Sequence, residues 1–282
     1  METNKIYQGD CLELMKQIED KSIDLVVTSP PYGLLRDYEG YTFDFEGIAK
    51  ELFRIIKEGG IIVWVVGDGV VNGSETGDSF RQALYFKEIG FNLHDTMIYA
   101  KKNTHPQPNT KRYEQRFEYM FVFSKGTPKT FNPSMKFKEY DDKRKIKAVN
   151  RGKDGKIVMK KVNHRDYVKV GNIWFYATGF GNTTKEDYAF EHPAMFPEQL
   201  AKDNIMSWSN EGDLVLDPMC GSGTTCKMAM QSLRNFLGFE ISEKYCKIAN
   251  KRLLQQTLHK LKSESIFPPK PEGMGIQNAK LI

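Results

Sequence analysis

Leu216-Asp217-Pro218-Met219-Cys220-Gly221-Ser222-Gly223-Thr224-Thr225 is the stretch on which the fold of this 282-residue chain turns. The apolar run Leu214–Leu216 reads as a buried strand, and Thr224–Leu233 reads as a helix. Glycines between them allow a tight turn and close approach of backbone to a ligand. The start of the helix offers free N–H groups and a positive dipole end to an anionic group. The next strand, Phe236-Leu-Gly-Phe-Glu240, ends on an acidic residue about 20 positions past the glycines, where nucleotide-binding α/β folds hydrogen-bond ribose hydroxyls. A glycine-rich turn of any α/β protein would account for the loop alone; the paired Glu240 favours a ligand site. No Gly-Lys-Ser/Thr is present, which argues against a Walker-type phosphate loop.

Working outward, Ile23–Val27 reads as a short buried strand that ends in a Pro-Pro turn. Residues 44–57 read as a helix, with Phe45, Ile48, Ala49, Leu52, Phe53 and Ile56 at helical spacing, and Gly59-Gly60 is expected to stop it. Ile61–Val66, 93–100 and 117–123 read as strands; 79–89, 193–209 and 243–261 read as helices. Strands alternating with helices predict an α/β fold with a doubly wound, mostly parallel, Rossmann-like sheet. The pattern breaks over residues 126–190, which are basic, rich in Gly and Asn, and poorly periodic. The chain is therefore expected to divide into 1–125, an inserted module at 126–190, 191–265, and an irregular tail at 266–282.

Composition narrows the function classes. A hydrophobic content of 40% suffices for a globular core, and no run approaches a membrane span. The N-terminal Met-Glu-Thr-Asn-Lys has no signal-peptide core. Cys11, Cys220, Cys226 and Cys246 form no CxxC pair and are read as reduced thiols of a cytoplasmic protein, with no metal expected. Net charge is +5, but Lys125–Lys169 holds fifteen Lys/Arg against five Asp/Glu. Such a segment is either a solvated loop or a phosphate-binding surface; on the second reading Lys143, Arg144, Lys145, Lys147, Arg151 and Arg165 are the candidate phosphate contacts.

A second motif, Thr28-Ser29-Pro30-Pro31-Tyr32-Gly33, follows the Ile23–Val27 strand. Two prolines fix the backbone and remove two donors, so nearby carbonyls are left to accept. The Ser29 hydroxyl adds an acceptor and Tyr32 a flat face; together they suit an amino group on a planar ring. Taken alone, the motif is equally a plain turn with a packed tyrosine.

The two motifs together resemble the cofactor loop and catalytic loop of amino-group DNA methyltransferases. Their order, catalytic loop first, resembles the permuted β class of restriction-modification type. Tyr7-Gln8-Gly9-Asp10-Cys11 resembles that group's acidic adenine-contacting motif, and His192-Pro193-Ala194-Met195-Phe196-Pro197 the motif before the cofactor loop. Arg112-Tyr-Glu-Gln-Arg-Phe-Glu-Tyr-Met-Phe-Val-Phe123 resembles a late strand, and 126–190 falls where these enzymes carry a target-recognition region.

The resemblance implies S-adenosylmethionine as cofactor. It assigns Asp10 and Cys11 to the adenine end, Glu240 to the ribose, and Phe196 to the pocket wall. Asp217, Pro218, Cys220, Gly221, Ser222, Gly223, Thr224 and Thr225 wrap the methionine part. Ser29, Pro30, Pro31 and Tyr32 become the catalytic residues. Double-stranded DNA is the implied partner, and a cognate restriction endonuclease and a monomer or homodimer are compatible with it. A serine before Pro-Pro-Tyr resembles cytosine-N4 enzymes more than adenine-N6 enzymes. No Pro-Cys dipeptide of the cytosine-C5 type occurs. An RNA methyltransferase and an inactive DNA-binding module remain the rival readings.

Overall fold

A computed structural model describes residues 1–31, 43–104, 111–137, 147–151, 157–161, 167–192 and 194–266. In chain order the elements are β1 (Lys5–Gln8), α1 (Cys11–Met15), β2 (Ile23–Thr28), α2 (Phe45–Ile55), β3 (Ile56–Val66), β4 (Val70–Val71), β5 (Ser74–Glu75), α3 (Asp78–Glu88), β6 (Asn92–Lys101) and β7 (Phe117–Ser124). Then come β8 (Met135–Phe137), β9 (Lys147–Arg151), β10 (Ile157–Lys161), β11 (Tyr167–Lys169), β12 (Ile173–Tyr176), a 3-10 turn over Asp187–Glu191, α4 (Glu198–Trp208), β13 (Leu214–Asp217), α5 (Thr224–Gln231), β14 (Asn235–Glu240) and α6 (Glu243–Ile266).

Eight strands form one sheet in the order β1-β14-β13-β2-β3-β7-β6-β12. The pairs from β1 through to β3 are parallel, β7 runs antiparallel to both β3 and β6, and β12 is parallel to β6. The apolar run of β3 is continuous because both its faces are covered. Ile61, Val63 and Val65 pack in a cluster with Leu200, Ile205 and Met228 of α4 and α5. Ile62, Trp64 and Val66 pack on the other face with Leu52 and Phe86 of α2 and α3. Each such side chain, fully buried, contributes about 1.5–3 kcal/mol.

Two details depart from the sequence reading. The helix α2 ends at Ile55 and β3 begins at the next residue, so Gly59-Gly60 lies inside a strand. Pairing with β2 jumps there from Ile23↔Ile56 to Leu25↔Ile61. Gly59 has φ +79, and a Cβ on Gly60 would stand 3.0 Å from the Asp24 and Lys57 carbonyl oxygens. The glycines serve a bulge, which sequence punctuation does not distinguish from a helix stop. Second, β12 lies within the 126–190 stretch and is nevertheless the edge strand of the main sheet. Two short antiparallel pairs, β9 with β10 and β8 with β11, also fall in that stretch.

Tyr32, Lys143, Arg144, Lys145, Arg165, Pro193 and the 267–282 tail lie outside the described residues. Among the described residues no helix is long and apolar enough to cross a membrane.

Candidate active site

Both sequence motifs emerge at the carboxyl ends of adjacent strands, β2 and β13, where open α/β sheets place their ligands. Asp217, the last residue of β13, is 2% exposed. Its Oδ1 accepts from the Thr28 hydroxyl at 2.8 Å and from the Met219 N–H at 3.2 Å. One residue of the glycine-rich loop thus fastens the strand that leads into Ser29-Pro30-Pro31. A second tie runs from the Thr225 hydroxyl to the Val27 carbonyl, 3.1 Å. Burial raises the Asp217 carboxyl to about 6, although Thr28, Thr225 and the Met219 amide all favour its ionised form. Ser29 is half-buried and Pro30 buried at the end of β2.

The loop itself needs its glycines. Gly221 and Gly223 have φ +52 and +77. A Cβ on Gly221 would lie 2.7 Å from His192 Nε2, and one on Gly223 would lie 2.8 Å from the Ala249 Cβ. The Gly223 N–H donates to the Cys220 carbonyl at 2.7 Å, closing the turn into α5. Pro218, Ser222, Thr224 and Thr225 are buried.

Glu240 ends β14, the neighbour of β13, and is 9% exposed. Its Oε2 accepts from the Gly221 N–H at 2.8 Å and its Oε1 from the Ser242 N–H at 2.9 Å, so the acidic residue and the glycine loop form one unit. The Glu240 carbonyl accepts from Gly9 N–H at 2.9 Å, bringing the Gly9-Asp10 turn to the same edge. Asp10 caps α1, its Oδ1 accepting from Leu12 and Glu13 N–H at 2.8 and 3.2 Å. Asp10 is exposed, and Phe196 is half-buried against the α4–α5 side of the core. Two acidic residues at strand ends, flanking a glycine loop that leads into a helix, fit a nucleoside-bearing ligand with an anionic end.

The cysteines here are poor nucleophiles, since the thiolate is the reactive form. A hydrogen bond with the Cys226 thiol, together with burial, holds the Cys220 thiol well above its ordinary value. Burial pushes Cys11 up to about 12.

The structure also brings to this edge residues to which the sequence reading gives no role in the site. His192 packs over Gly221, with its ring centroid 4.4 Å from that of Tyr245. The connection between β6 and β7 opens on the same edge, with Lys102, Lys111, Arg112 and Arg116 exposed and Tyr113 100% exposed. Their local charge is masked in the sequence by Glu114 and Glu118; only the antiparallel turn of β7 shows where they face. Of the basic candidates in the inserted stretch, Lys147 and Arg151 lie at the two ends of β9, in register with Lys161 and Ile157 of β10.

Comparison with known proteins places the chain in a family. Residues 23–251 match a family model described as "DNA methylase". The chain is 54% identical over 248 residues to the orphan methyltransferase M.BamHII of Bacillus amyloliquefaciens, covering 85% of this chain and 92% of that one. Among solved structures, the PvuII DNA methyltransferase (cytosine-N4-specific) superposes with a TM-score of 0.65 at 21% identity, covering 92% of this chain and 91% of the other. A protein of Thermus thermophilus named "Putative DNA Modification Methylase", complexed with S-adenosyl-L-methionine, gives 0.57 at 23% identity, with 89% and 95% covered.

Proposed function

Because this chain belongs to the DNA methylase family that its residues 23–251 match, we propose that it transfers a methyl group from S-adenosylmethionine to the exocyclic N4 of a cytosine flipped out of duplex DNA. The observation that carries the reading is the Thr28–Asp217 hydrogen bond, which holds the Ser29-Pro30-Pro31 turn beside the glycine loop and Glu240. S-adenosylmethionine, when bound, supplies an electrophilic methyl on its sulfonium. The chain's own residues do the rest. Asp10 accepts from the adenine amino group, Glu240 accepts from the ribose hydroxyls, and the Gly221–Thr225 backbone surrounds the amino-acid end.

Flipping a base costs a few kcal/mol, and stacking on Tyr32 returns roughly 1–3 kcal/mol. An exocyclic amine is a poor nucleophile because its lone pair is delocalised into the ring. The Ser29 Oγ and the Pro30 carbonyl accept its two hydrogens, which favours a tetrahedral nitrogen and aims its lone pair at the methyl. One of those hydrogens then passes as a proton by way of the Ser29 hydroxyl to solvent water. Positioning and electrostatics supply the rate. Raised thiol pKa values at Cys11 and Cys220 speak against covalent attack on the ring. Phosphate contacts are assigned to Lys143, Arg144, Lys145, Lys147, Arg151 and Arg165 of the inserted region, and to Lys102, Lys111 and Arg116 at the β6–β7 connection.

The serine at position 29 favours cytosine over adenine. Base-resolved modification sequencing of DNA from cells expressing the protein tests the whole reading. N4-methylcytosine at a fixed sequence is the expected result. N6-methyladenine would replace the base assignment, and unmodified DNA with bound cofactor would overturn the catalytic one.

A further inference from the structure

Four charged side chains from four segments meet behind the glycine loop. Arg252 of α6 is 0% exposed and Lys227 of α5 is 4% exposed. Between them stand Glu186, just before the 3-10 turn, and Glu198, the first residue of α4. Lys227 Nζ donates to Glu186 Oε1 at 2.8 Å and to Glu198 Oε1 at 2.7 Å. Arg252 Nε donates to Glu186 Oε2 at 2.6 Å and its Nη2 to Glu198 Oε1 at 2.5 Å. Thr184 adds its hydroxyl to Glu198 at 2.7 Å. Burial alone would raise the Glu198 carboxyl, but Lys227, Thr184 and Arg252 together outweigh it and hold the group below its ordinary value.

A quartet of this kind does not explain itself by stability. Desolvating two cations and two carboxylates costs several kcal/mol per ion, and well-packed apolar replacements of such networks are often neutral or stabilising. What distinguishes this one is where its remaining donor goes. Arg252 Nη1 donates to the Ser222 carbonyl at 2.7 Å, to the Ser222 Oγ at 3.2 Å and to the Thr224 Oγ1 at 3.0 Å. These residues flank Gly223, whose left-handed φ of +77 lets the chain turn from the loop into α5. A guanidinium has a rigid planar fork, which a flexible ammonium lacks. Two edges of the fork are locked on carboxylates, so the third fixes the direction of the Ser222 peptide and the Thr224 side chain.

We propose that Arg252, oriented by Glu186 and Glu198, is a positioning residue for the cofactor loop, and that the quartet sets the affinity for S-adenosylmethionine by holding residues 222–224 in their binding conformation. Glu186 and Thr184 lie on the segment that returns from β12, so the same quartet ties that segment to the loop. The inference rests on the reading of 217–225 as the cofactor loop.

The test compares Arg252→Lys and Glu186→Gln with the wild-type chain. Arg252→Lys keeps the charge and loses the fork; Glu186→Gln keeps the shape and an acceptor for Arg252. Calorimetric titration with S-adenosylmethionine, below the melting point of each protein, should show a Kd raised roughly tenfold or more for Arg252→Lys and less for Glu186→Gln, as expected for loss of charge-assisted hydrogen bonds. The KM for the cofactor should rise in step while kcat at saturating cofactor stays near wild type. Lower melting temperatures with an unchanged Kd would make the quartet purely structural and overturn the proposal. Should Arg252→Lys fail to fold, Glu186→Gln alone decides between those outcomes. A wild-type chain that does not bind S-adenosylmethionine would instead defeat the cofactor reading itself.

Discussion

At the scale of single residues, Asp217 joins the two motifs and is the group whose charge is most open to test. Burial raises its carboxyl to about 6, whereas an unfolded chain releases that proton near pH 3.9. Between those values the native state binds more protons, so this group's contribution to stability falls as pH rises from about 4 to about 6 and is level above. The full change is on the order of 3 kcal/mol. Asp217→Asn keeps the size and the oxygen that accepts from Thr28 and Met219, and does not titrate. Urea unfolding at pH 4.5 and pH 7 should therefore show the variant gaining on wild type at the higher pH; a constant difference would mean that Asp217 does not titrate in this window. The catalytic role proposed for the Ser29–Tyr32 turn is tested by its aromatic residue. Tyr32→Phe keeps the flat face and should cost little. Tyr32→Ala should lower the single-turnover rate strongly with cofactor affinity near normal, and Ser29→Ala should lower that rate more than DNA affinity. Equal, small losses for both tyrosine variants would reduce Tyr32 to a packing residue. Asp217, Glu240 and the two glycines are legible in the sequence because their chemistry is carried by fixed spacing. Arg252 and Lys227 are not, because a lone cation on a helix reads as a solvated charge until the fold brings Glu186 and Glu198 to it.

At the scale of elements, glycines in one backbone region have unequal consequences. Gly73, at φ +80 between β4 and β5, has nothing within 4 Å of where a Cβ would stand, so Gly73→Ala meets only the left-handed penalty of about 1–2 kcal/mol. Gly223→Ala meets that penalty and the Ala249 Cβ at 2.8 Å, so α6 must shift away from the loop. Gly223→Ala should thus lower the melting temperature more than Gly73→Ala and should also weaken cofactor binding, while Gly73→Ala leaves the calorimetric Kd unchanged. Equal effects of the two on Kd would show that the loop tolerates movement of α6. The periodic helices and the β3, β7, β13 and β14 strands can be read from sequence because burial writes itself into hydrophobic spacing. Two strands of the eight-stranded sheet escape that reading for physical reasons. β1 has only half-buried residues at its centre and lies at one edge of the sheet. In β12, Ile173 and Phe175 are exposed while Tyr176 faces the core, so its pattern is that of an edge strand within a basic stretch.

At the scale of the whole molecule, charge is divided unevenly. Fifteen Lys/Arg and five Asp/Glu fall between Lys125 and Lys169, although the chain as a whole carries only +5. Replacing Lys143, Arg144, Lys145 and Lys147 by Ala should weaken binding to all duplex sequences alike and flatten the salt dependence by about 0.9 for each phosphate no longer neutralised. An unaltered slope would make this run a solvated surface. The manner in which that basic stretch is attached has its own consequence. β8 and β11 pair antiparallel, Met135 opposite Lys169, and the Val170 N–H donates to the Ser134 carbonyl at 3.0 Å. The chain thus leaves and rejoins the enzyme body through a closed stem, and β9 and β10 fall in sequence between its two strands. Lengthening a segment whose ends are already joined costs only about 0.6 kcal/mol per doubling. On the reading of this stretch as the target-recognition region, a graft of a foreign specificity segment at that stem should leave the catalytic body folded and redirect it to another target, so that address and chemistry would pass on as separate parts of one gene product.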